Sequence, residues 1–118
     1  MQYAIIIYEN EQDRARRFGP DTAASYLAPY EAYVRALREA GVLVGGEALR
    51  SPTTATTVRF EGGQRIIEDG PLPQTREQLG GFFVVEVPDL DAAITWASRC
   101  PAARSAGVEL RPVVIAGA

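Results

Sequence analysis

The sequence predicts an α+β fold in which two helices cover one face of a single β-sheet. Three observations lead to this prediction: several apolar runs have strand length, two longer stretches have helical periodicity, and the two types alternate along the chain. The chain has 118 residues, of which 47% are hydrophobic, and a formal charge of −3. We therefore expect one globular domain spanning residues 1–118.

A strand and a polar segment open the chain. Residues Tyr3 to Tyr8 read YAIIIY, with apolar side chains at odd and even positions, which predicts a strand buried on both faces. Residues 10–20 are polar and end in Phe-Gly-Pro, so they predict a loop. The cluster Arg14, Arg16 and Arg17 in this loop is either solvated or a lid over an anionic ligand.

The next segment predicts a long amphipathic helix. It runs from a cap at Asp21 or Thr22 to Ala40, with Gly41 just beyond its C-terminal end. Pro29 lacks a backbone donor and clashes with the preceding turn, so we expect a kink or a restart there. The spacing of three and four predicts an inward stripe of Ala23, Leu27, Tyr30, Val34 and Leu37.

The middle of the chain predicts a strand and an inserted β-hairpin. Residues 42–49 (VLVGGEAL) form the strand, interrupted by Gly45-Gly46, which indicates a bulge. Two further strand-like runs, residues 53–60 and 64–68, flank Glu61-Gly62-Gly63. Two central glycines accept the positive φ angles of a tight turn, so these runs pair as a hairpin.

The last third predicts strand, helix and strand. Residues 82–87 (FFVVEV) place Phe82 and Val84 on one face of the sheet and Phe83 and Val85 on the other. Asp89 caps the helix, and Cys100-Pro101 ends it. Its predicted inward stripe is Leu90, Ala93, Ile94 and Ala97. Residues 108–115 form the last strand, where Pro112 indicates an edge position.

This order of elements is a ferredoxin-like βαββαβ sandwich with a hairpin insertion. Right-handed crossings place both helices on one face of the sheet and leave the other face bare. The runs YAIIIY and FFVVEV nevertheless carry apolar side chains on both faces, and an exposed patch of that size is unusual on a monomer. We therefore expect a homodimer in which the two bare faces pack together as a dimeric α/β barrel.

Composition excludes several classes of function. No apolar run has the length of a membrane span, and the sequence pI of about 4.9 argues against a nucleic-acid partner. His is absent and Cys100 is the single cysteine, so we expect no metal site and no intrachain disulfide. The glycine pairs lack the context of a nucleotide-binding loop, so we expect no cofactor. These features suit a cytoplasmic protein.

Several blocks of the chain match a known family in the correct order. The downstream blocks are residues 68–72 (EDGPL), 78–82 (QLGGF), 87–93 (VPDLDAA), 99–104 (RCPAAR) and 108–113 (VELRPV), and the upstream blocks are residues 40–43, 46–49 and 54–59. Together they resemble the YCII-related proteins of the DGPF type over nearly the whole chain.

The resemblance implies a dimeric ferredoxin-like barrel and, in the wider group, acid/base chemistry by a His and Asp pair. Relatives often carry His followed by Glu-Ala-Phe in the first long helix, where this chain has Tyr30-Glu31-Ala32-Tyr33. Leu72 stands where the name-giving motif has Phe. Tyr30 thus takes the position of the family's His. Genes of the DGPF branch often neighbour extracytoplasmic-function sigma factors, which implies a regulatory alternative.

Three residues are candidate catalytic groups. Tyr30 lies on the inward stripe, where its phenol is either structural or a ligand-orienting hydroxyl in a cleft between helix and sheet. Asp69 is either a turn carboxylate or a proton acceptor at the rim of that cleft. Glu47 follows two glycines that leave room for a ligand, and it is either a solvated strand residue or a second proton acceptor.

Four residues are candidate substrate-binding groups. Arg59 either polarises a substrate oxygen or pairs with a carboxylate such as Glu109 or Glu86. The aromatic side chains that could line a pocket for a flat, apolar or aromatic molecule include Tyr8, Tyr33 and Phe82. Packing in the core or at an interface explains these aromatic residues equally well.

Two functions follow from these candidates. The first is a small-molecule enzyme that transfers a proton without cofactor or metal, in an isomerisation, cyclisation, elimination or dehydration. Tyr30 with Asp69 or Glu47 would carry this chemistry. The second is a non-catalytic ligand-binding or regulatory dimer, which the loss of the His position favours.

The expected homodimer is directly measurable. Because the bare apolar face of the sheet must be covered, multi-angle light scattering at micromolar concentration should give the mass of two chains. A single-chain mass of about 12.8 kDa would contradict the prediction.

Overall fold

A computed structural model describes residues 1–115 of the chain. Its helices are α1 (Glu11–Arg17), α2 (Ala23–Glu39) and α3 (Leu90–Arg99), and its strands are β1 (Gln2–Glu9), β2 (Leu43–Ala48), β3 (Thr56–Glu61), β4 (Gln64–Asp69), β5 (Gln78–Glu86) and β6 (Val108–Pro112). Short 3₁₀ turns at Pro52–Thr54 and Pro101–Arg104 complete the described structure. None of the helices in residues 1–115 is long and apolar enough to cross a membrane.

Four strands form an antiparallel sheet in the order β2-β5-β1-β6. Strands β1 and β2 both pair with β5, so they run parallel to each other, and α2 lies on the connection between them. Strands β5 and β6 both pair antiparallel with β1, so they also run parallel to each other, and α3 lies on the connection between them. The α+β class is confirmed, and the topology is compatible with a ferredoxin-like sandwich.

Strand β1 shows why one face of the sheet holds the core. Its residues alternate strictly, so that Tyr3, Ile5 and Ile7 are buried while the side chains between them, such as Ile6, stay partly exposed. Opposite β1, the register pairs Ile5 with Phe83 and Ile6 with Phe82. Residues opposite each other in an antiparallel pair share a face, so the prediction that Phe82 and Phe83 lie on different faces is confirmed.

The second face of the sheet carries no helix in the described chain. Its apolar side chains lie on the strands β1 and β5, and they are Ala4, Ile6, Tyr8, Leu79, Phe82 and Val84. We call this surface the uncovered face. The largest exposed fraction among these residues is 43%, for Leu79. A run predicted to be buried on both faces is therefore buried on one face only within a single chain.

The inward stripes of the two long helices differ from the predicted ones. On α2, Tyr26, Tyr33 and Leu37 are buried, whereas the predicted Leu27 is 41% exposed. On α3, Ala93 and Ala97 are buried as predicted, but Leu90 and Ile94 are about half exposed. Alanine side chains are small, so α3 can pack closely against the sheet at Ala93 and Ala97. The half-buried Trp96 of the same helix packs against this core.

The first helix was not predicted. Residues 10–20 were expected to form a loop, but Glu11–Arg17 is helical. Asn10 and Asp13 form a capping box: the Asn10 side chain accepts from the Asp13 amide at 2.8 Å, and the Asp13 carboxylate accepts from the Asn10 amide at 3.0 Å. Acidic residues in the first turn and arginines in the last turn also complement the helix dipole.

Pro29 does not restart α2. The structure shows one continuous helix from Ala23 to Glu39 with Pro29 inside it, which contradicts the predicted restart. Two other boundary signals are confirmed, whereas the predicted cap residue Thr22 makes no side-chain hydrogen bond to the helix amides. Gly41 follows the last turn with a φ of 71°, and the Asp89 carboxylate accepts from the Ala92 amide at the start of α3.

Strands β3 and β4 form a separate two-stranded hairpin, which we call the arm. It is inserted between β2 and β5, and the turn at Gly62-Gly63 has φ angles of 54° and 79°. A two-residue turn with positive φ at both positions matches the twist of the flanking strands, so the predicted hairpin is confirmed. Its first strand begins later than predicted, because Pro52–Thr54 is a 3₁₀ turn.

Burial on α2 leads to a stability prediction. Leu37 is fully buried against the sheet, whereas Leu27 lies on the same helix at 41% exposure. Leu37→Ala should therefore lower the free energy of unfolding by about 2–5 kcal/mol, and Leu27→Ala by about 1 kcal/mol or less. Urea denaturation followed by circular dichroism measures both. Equal losses would contradict the observed stripe and favour the predicted one.

Candidate functional site

A cleft of about 540 Å³ lies between α2 and the β1, β2 and β5 side of the sheet. Strand residues form its floor, with Ile7 in β1 and Phe83 in β5, and α2 forms its wall through residues such as Tyr30 and Val34. Gly46 and Gly81 also line the floor, and a Cβ atom at these positions would lie 2.5 Å from the Phe82 carbonyl oxygen and 2.6 Å from the Glu47 carbonyl oxygen, respectively. The cleft is therefore largely apolar and large enough for a small organic molecule.

The hydroxyl of Tyr30, a residue that lines the cleft, is the polar atom that most requires explanation. Tyr30 is half-buried, its hydroxyl oxygen is fully buried, and this oxygen has no hydrogen-bond partner within residues 1–115. Burial, with a smaller contribution from Tyr26, raises the pKa of Tyr30 far above its ordinary value of 10.0. The phenol therefore remains protonated at neutral pH, so it can donate a hydrogen bond and cannot act as a base.

A buried carboxylate lies at one end of the same cleft. Glu9 is the last residue of β1 and is 3% exposed, and it lines the cleft. Arg17 Nη1 lies 2.9 Å from both Glu9 oxygens, and the Tyr26 hydroxyl donates to Glu9 Oε2 at 3.2 Å. Burial and the Glu9 charge raise the pKa of Tyr26 to about 12. We call Glu9, Arg17 and Tyr26 the carboxylate cluster.

Arg17 joins three elements at this end of the cleft. Besides Glu9, its guanidinium donates to the backbone carbonyls of Gly80 in β5 and Leu49 after β2. Arg14 donates to the carbonyls of Glu9 and Arg76, and the Arg16 guanidinium lies over the Tyr26 ring. Arg14 and Arg17 therefore bind the chain's own backbone and the Glu9 carboxylate, whereas Arg16 is exposed, and a lid over an anionic ligand stays a prediction.

Gly80 makes room for the carboxylate. A Cβ atom at position 80 would lie 2.5 Å from the Glu9 Cδ and 2.6 Å from its Oε1. The register between β1 and β5 shifts at the same place, between Ile7 and Tyr8. A bulge with a glycine thus lets the Glu9 side chain lie across β5, because any larger residue would occupy the same space.

The predicted acid/base residues are placed in different parts of the chain. Tyr30 lies in the cleft, and Glu47 lies on the edge strand β2 at its rim. The register sets Glu47 opposite Phe82, so its side chain is directed to the uncovered face. Asp69 lies at the base of the arm, paired with Thr56, and is not among the residues that line the cleft.

The predicted binding residues are similarly divided. Arg59 lies on the arm, where it pairs with Glu68 and Glu61 and not with Glu109 or Glu86. Tyr8 lies on the uncovered face, and its hydroxyl donates to Glu109 at 3.5 Å. The Tyr33 hydroxyl donates to the Trp96 carbonyl at 2.7 Å within the core, while Phe82 shares the uncovered face with Ile6 and also borders the cleft.

The sequence did not indicate Glu9 as a site residue, and it indicated Arg17 only as part of the arginine cluster. Glu9 ends an apolar strand, a position that usually marks the start of a solvated loop. One signal was available: Asn10 and Asp13 have capping-box spacing, which predicts a helix and hence a fixed position for Arg17. No local pattern indicated that this helix folds back over the end of β1.

Comparison with known proteins gives two findings. The family model for the YCII-related domain matches residues 1–115. The chain is also 30% identical to the uncharacterized protein R00369 of Rhizobium meliloti (strain 1021) over 117 residues, which cover 98% of this chain and 94% of that protein.

The chain belongs to the YCII-related family. The resemblance predicted from the separated sequence blocks is thus confirmed at the level of the family. Within this YCII-related chain, Tyr30 stands in the helix position where the resemblance places the family's His, and the structure sets it in the cleft.

Substitution of Gly80 tests the construction of the carboxylate cluster. Gly80→Ala should lower the free energy of unfolding by about 1–3 kcal/mol, because the new methyl group displaces the Glu9 carboxylate from Arg17. Gly45→Ala in the neighbouring strand is the control, since no atom in residues 1–115 lies within 4 Å of the added Cβ. Urea denaturation of both variants provides the measurement, and equal stabilities would contradict this account of Gly80.

Proposed function

We propose that this YCII-related protein is a small-molecule enzyme that transfers a proton on a largely apolar substrate in the cleft, without a resident cofactor or metal. One observation carries the proposal: the buried Tyr30 hydroxyl has no hydrogen-bond partner within residues 1–115, beside a cleft of about 540 Å³. Leaving a buried polar group unpaired costs about 1–3 kcal/mol. A substrate oxygen that accepts from Tyr30 would remove this cost.

Tyr30 is the proposed electrophilic group. When a proton leaves a carbon next to a carbonyl, negative charge develops on the carbonyl oxygen. A protonated phenol aimed at that oxygen stabilises the charge, and the raised pKa keeps the Tyr30 proton in place. The apolar residues of the cleft would strengthen this hydrogen bond because they lower the local dielectric constant.

Glu9 is the proposed proton acceptor. A carboxylate accepts about four hydrogen bonds, and in Glu9 two positions accept from Arg17 and one from Tyr26. One position on Oε1 is left for a substrate proton. In the proposed step the C–H electron pair moves toward the carbonyl oxygen, the proton passes to Glu9, and its return to another carbon completes an isomerisation.

The remaining predicted residues have no part in this minimal pair. Glu47 and Phe82 border the cleft, but their side chains are directed to the uncovered face, so neither is assigned a role in the proposed step. Asp69 and Arg59 lie on the arm of the same chain, and they would act on a substrate only if the arm approaches a cleft in the assembled protein.

A non-catalytic ligand-binding protein is the second candidate. The partners of Glu9 favour it. Three of the four acceptor positions of the Glu9 carboxylate are occupied, and the positive charge of Arg17 compensates the negative charge of Glu9. Under this alternative the cleft and Tyr30 bind a ligand, and Glu9 serves only to hold α1 on the sheet. A link to an extracytoplasmic-function sigma factor stays a prediction from the resemblance.

The proposal includes a homodimer of the DGPF type that pairs through the uncovered face. The apolar side chains of that face, including Ile6 and Phe82, support this pairing because a monomer would leave them in water. The proposed cleft lies on the opposite, helix-covered face, so the dimer would leave the opening of the cleft to solvent unchanged.

The experiment uses methyl naphthyl ketone, which has an apolar body, one acceptor oxygen and exchangeable protons beside it. Proton NMR in deuterated buffer measures both its dissociation constant and the exchange rate of those protons. Tyr30→Phe should weaken binding about five- to tenfold, the value of one hydrogen bond, and Glu9→Gln should slow exchange at least about a hundredfold.

Tyr33→Phe is the matched control, because it removes a phenol on the same helix that donates to the Trp96 carbonyl and not into the cleft. It should leave binding and exchange unchanged. Binding that weakens in Tyr30→Phe without any exchange above that in buffer would favour the non-catalytic alternative. Equal binding by the native protein and Tyr30→Phe would contradict the role of Tyr30 in both candidates.

A further inference from the structure

The arm carries an apolar stripe that nothing in the described chain covers. Val58, Phe60 and Ile67 are 56%, 70% and 56% exposed. Val58 lies opposite Ile67 and Phe60 opposite Arg65, so all four side chains share one face of the hairpin. We call this surface the arm stripe. A two-stranded hairpin is only marginally stable in water by itself, so an uncovered stripe of this kind needs a partner.

The chain's own body does not provide that partner. Within residues 1–115, β3 and β4 make extensive contacts only with each other. The chain is flat, with extents of 47 × 46 × 18 Å, and its radius of gyration of 16.1 Å exceeds the roughly 13.5 Å expected for a compact domain of this length. The arm therefore extends away from the sandwich.

We infer that the arm stripe docks on the uncovered face of a second copy of the chain, so that each arm of the dimer binds the other chain. The inference rests on the proposed homodimer and adds the arm as part of its interface. A twofold axis would cover both arm stripes and both uncovered faces at once, because each chain supplies one of each.

The dimensions of the two surfaces fit. Six residues per strand make the arm about 20 Å long, and a sheet of four strands is about 14 Å wide. One arm is therefore long enough to span the width of its partner's sheet, and it would cover the part of the uncovered face that the two facing sheets leave free. At the foot of the arm, an open groove of about 810 Å³ lies on the uncovered face, lined by Ile6, Tyr8 and Leu79 together with Pro71 and Leu72. The groove has room for the Phe60 ring and the Ile67 side chain.

The charges of the two surfaces are also complementary. Arg65 on the arm stripe and Glu47 on the uncovered face are each without an ion-pair partner among residues 1–115. By contrast, Arg59 and Glu68 on the other face of the arm pair with each other. The arm thus keeps its paired charges on one face, which would remain in solvent, and a free cation on the face that docks.

Adjacent isoleucines on β4 provide a matched test. Ile67 lies on the arm stripe and Ile66 on the opposite face, so Ile67→Ser and Ile66→Ser make the same chemical change on opposite sides of one strand. Sedimentation velocity over a dilution series gives the dimer dissociation constant. Ile67→Ser and Phe60→Ser should raise that constant at least about tenfold, while Ile66→Ser should stay within about twofold of the native protein.

Far-ultraviolet circular dichroism and urea denaturation show whether each variant keeps its fold, and the arm makes few contacts that the sandwich would lose. Val84→Asp on the uncovered face tests the dimer independently of the arm. If it dissociates the dimer while Ile67→Ser and Phe60→Ser associate as tightly as the native chain, the arm has no role and the inference is overturned. A native chain that is monomeric at micromolar concentration overturns both the arm contact and the proposed homodimer.

Discussion

The buried carboxylate of Glu9 is the constraint on which the candidate site depends. A carboxylate at 3% exposure needs partners, and Arg17 and Tyr26 supply them from two different helices. This requirement places α1 over the end of β1, orients α2 so that Tyr26 faces the sheet, and demands a glycine at position 80. Removing either partner would leave a charge buried without compensation, which is costlier than never burying it.

The cleft is a consequence of the same arrangement. Tyr26 points toward Glu9, and one turn later Tyr30 lines the cleft, whose lining also includes glycines of β2 and β5. Its hydroxyl is buried without a partner in the described chain, so the protein bears a cost that a ligand could offset. In this YCII-related chain, a protonated phenol therefore stands where the resemblance places an imidazole.

The sheet and the arm both carry apolar surfaces that a single chain leaves uncovered. Strands β1 and β5 have apolar residues on both faces, but only one face receives helices. The arm adds an exposed stripe with Phe60 at 70% exposure. Hydrophobic burial is the dominant favourable contribution to association, so both surfaces support the proposed homodimer, whose interface would lie on the face of the sheet opposite the candidate site.

The amino-acid sequence by itself determined the elements whose signals are local. Alternating and continuous apolar runs specify the four-stranded sheet, Gly62-Gly63 specifies the turn of the arm, and Asp89 specifies the start of α3. Tyr30 was identified as a cleft residue from helical spacing and family resemblance. The tertiary structure alone decided the neighbours of Glu9, the direction of the Glu47 side chain and the separation of Asp69 and Arg59 from the cleft. These features depend on a one-residue register shift and on packing between distant segments, and neither leaves a local pattern in the sequence.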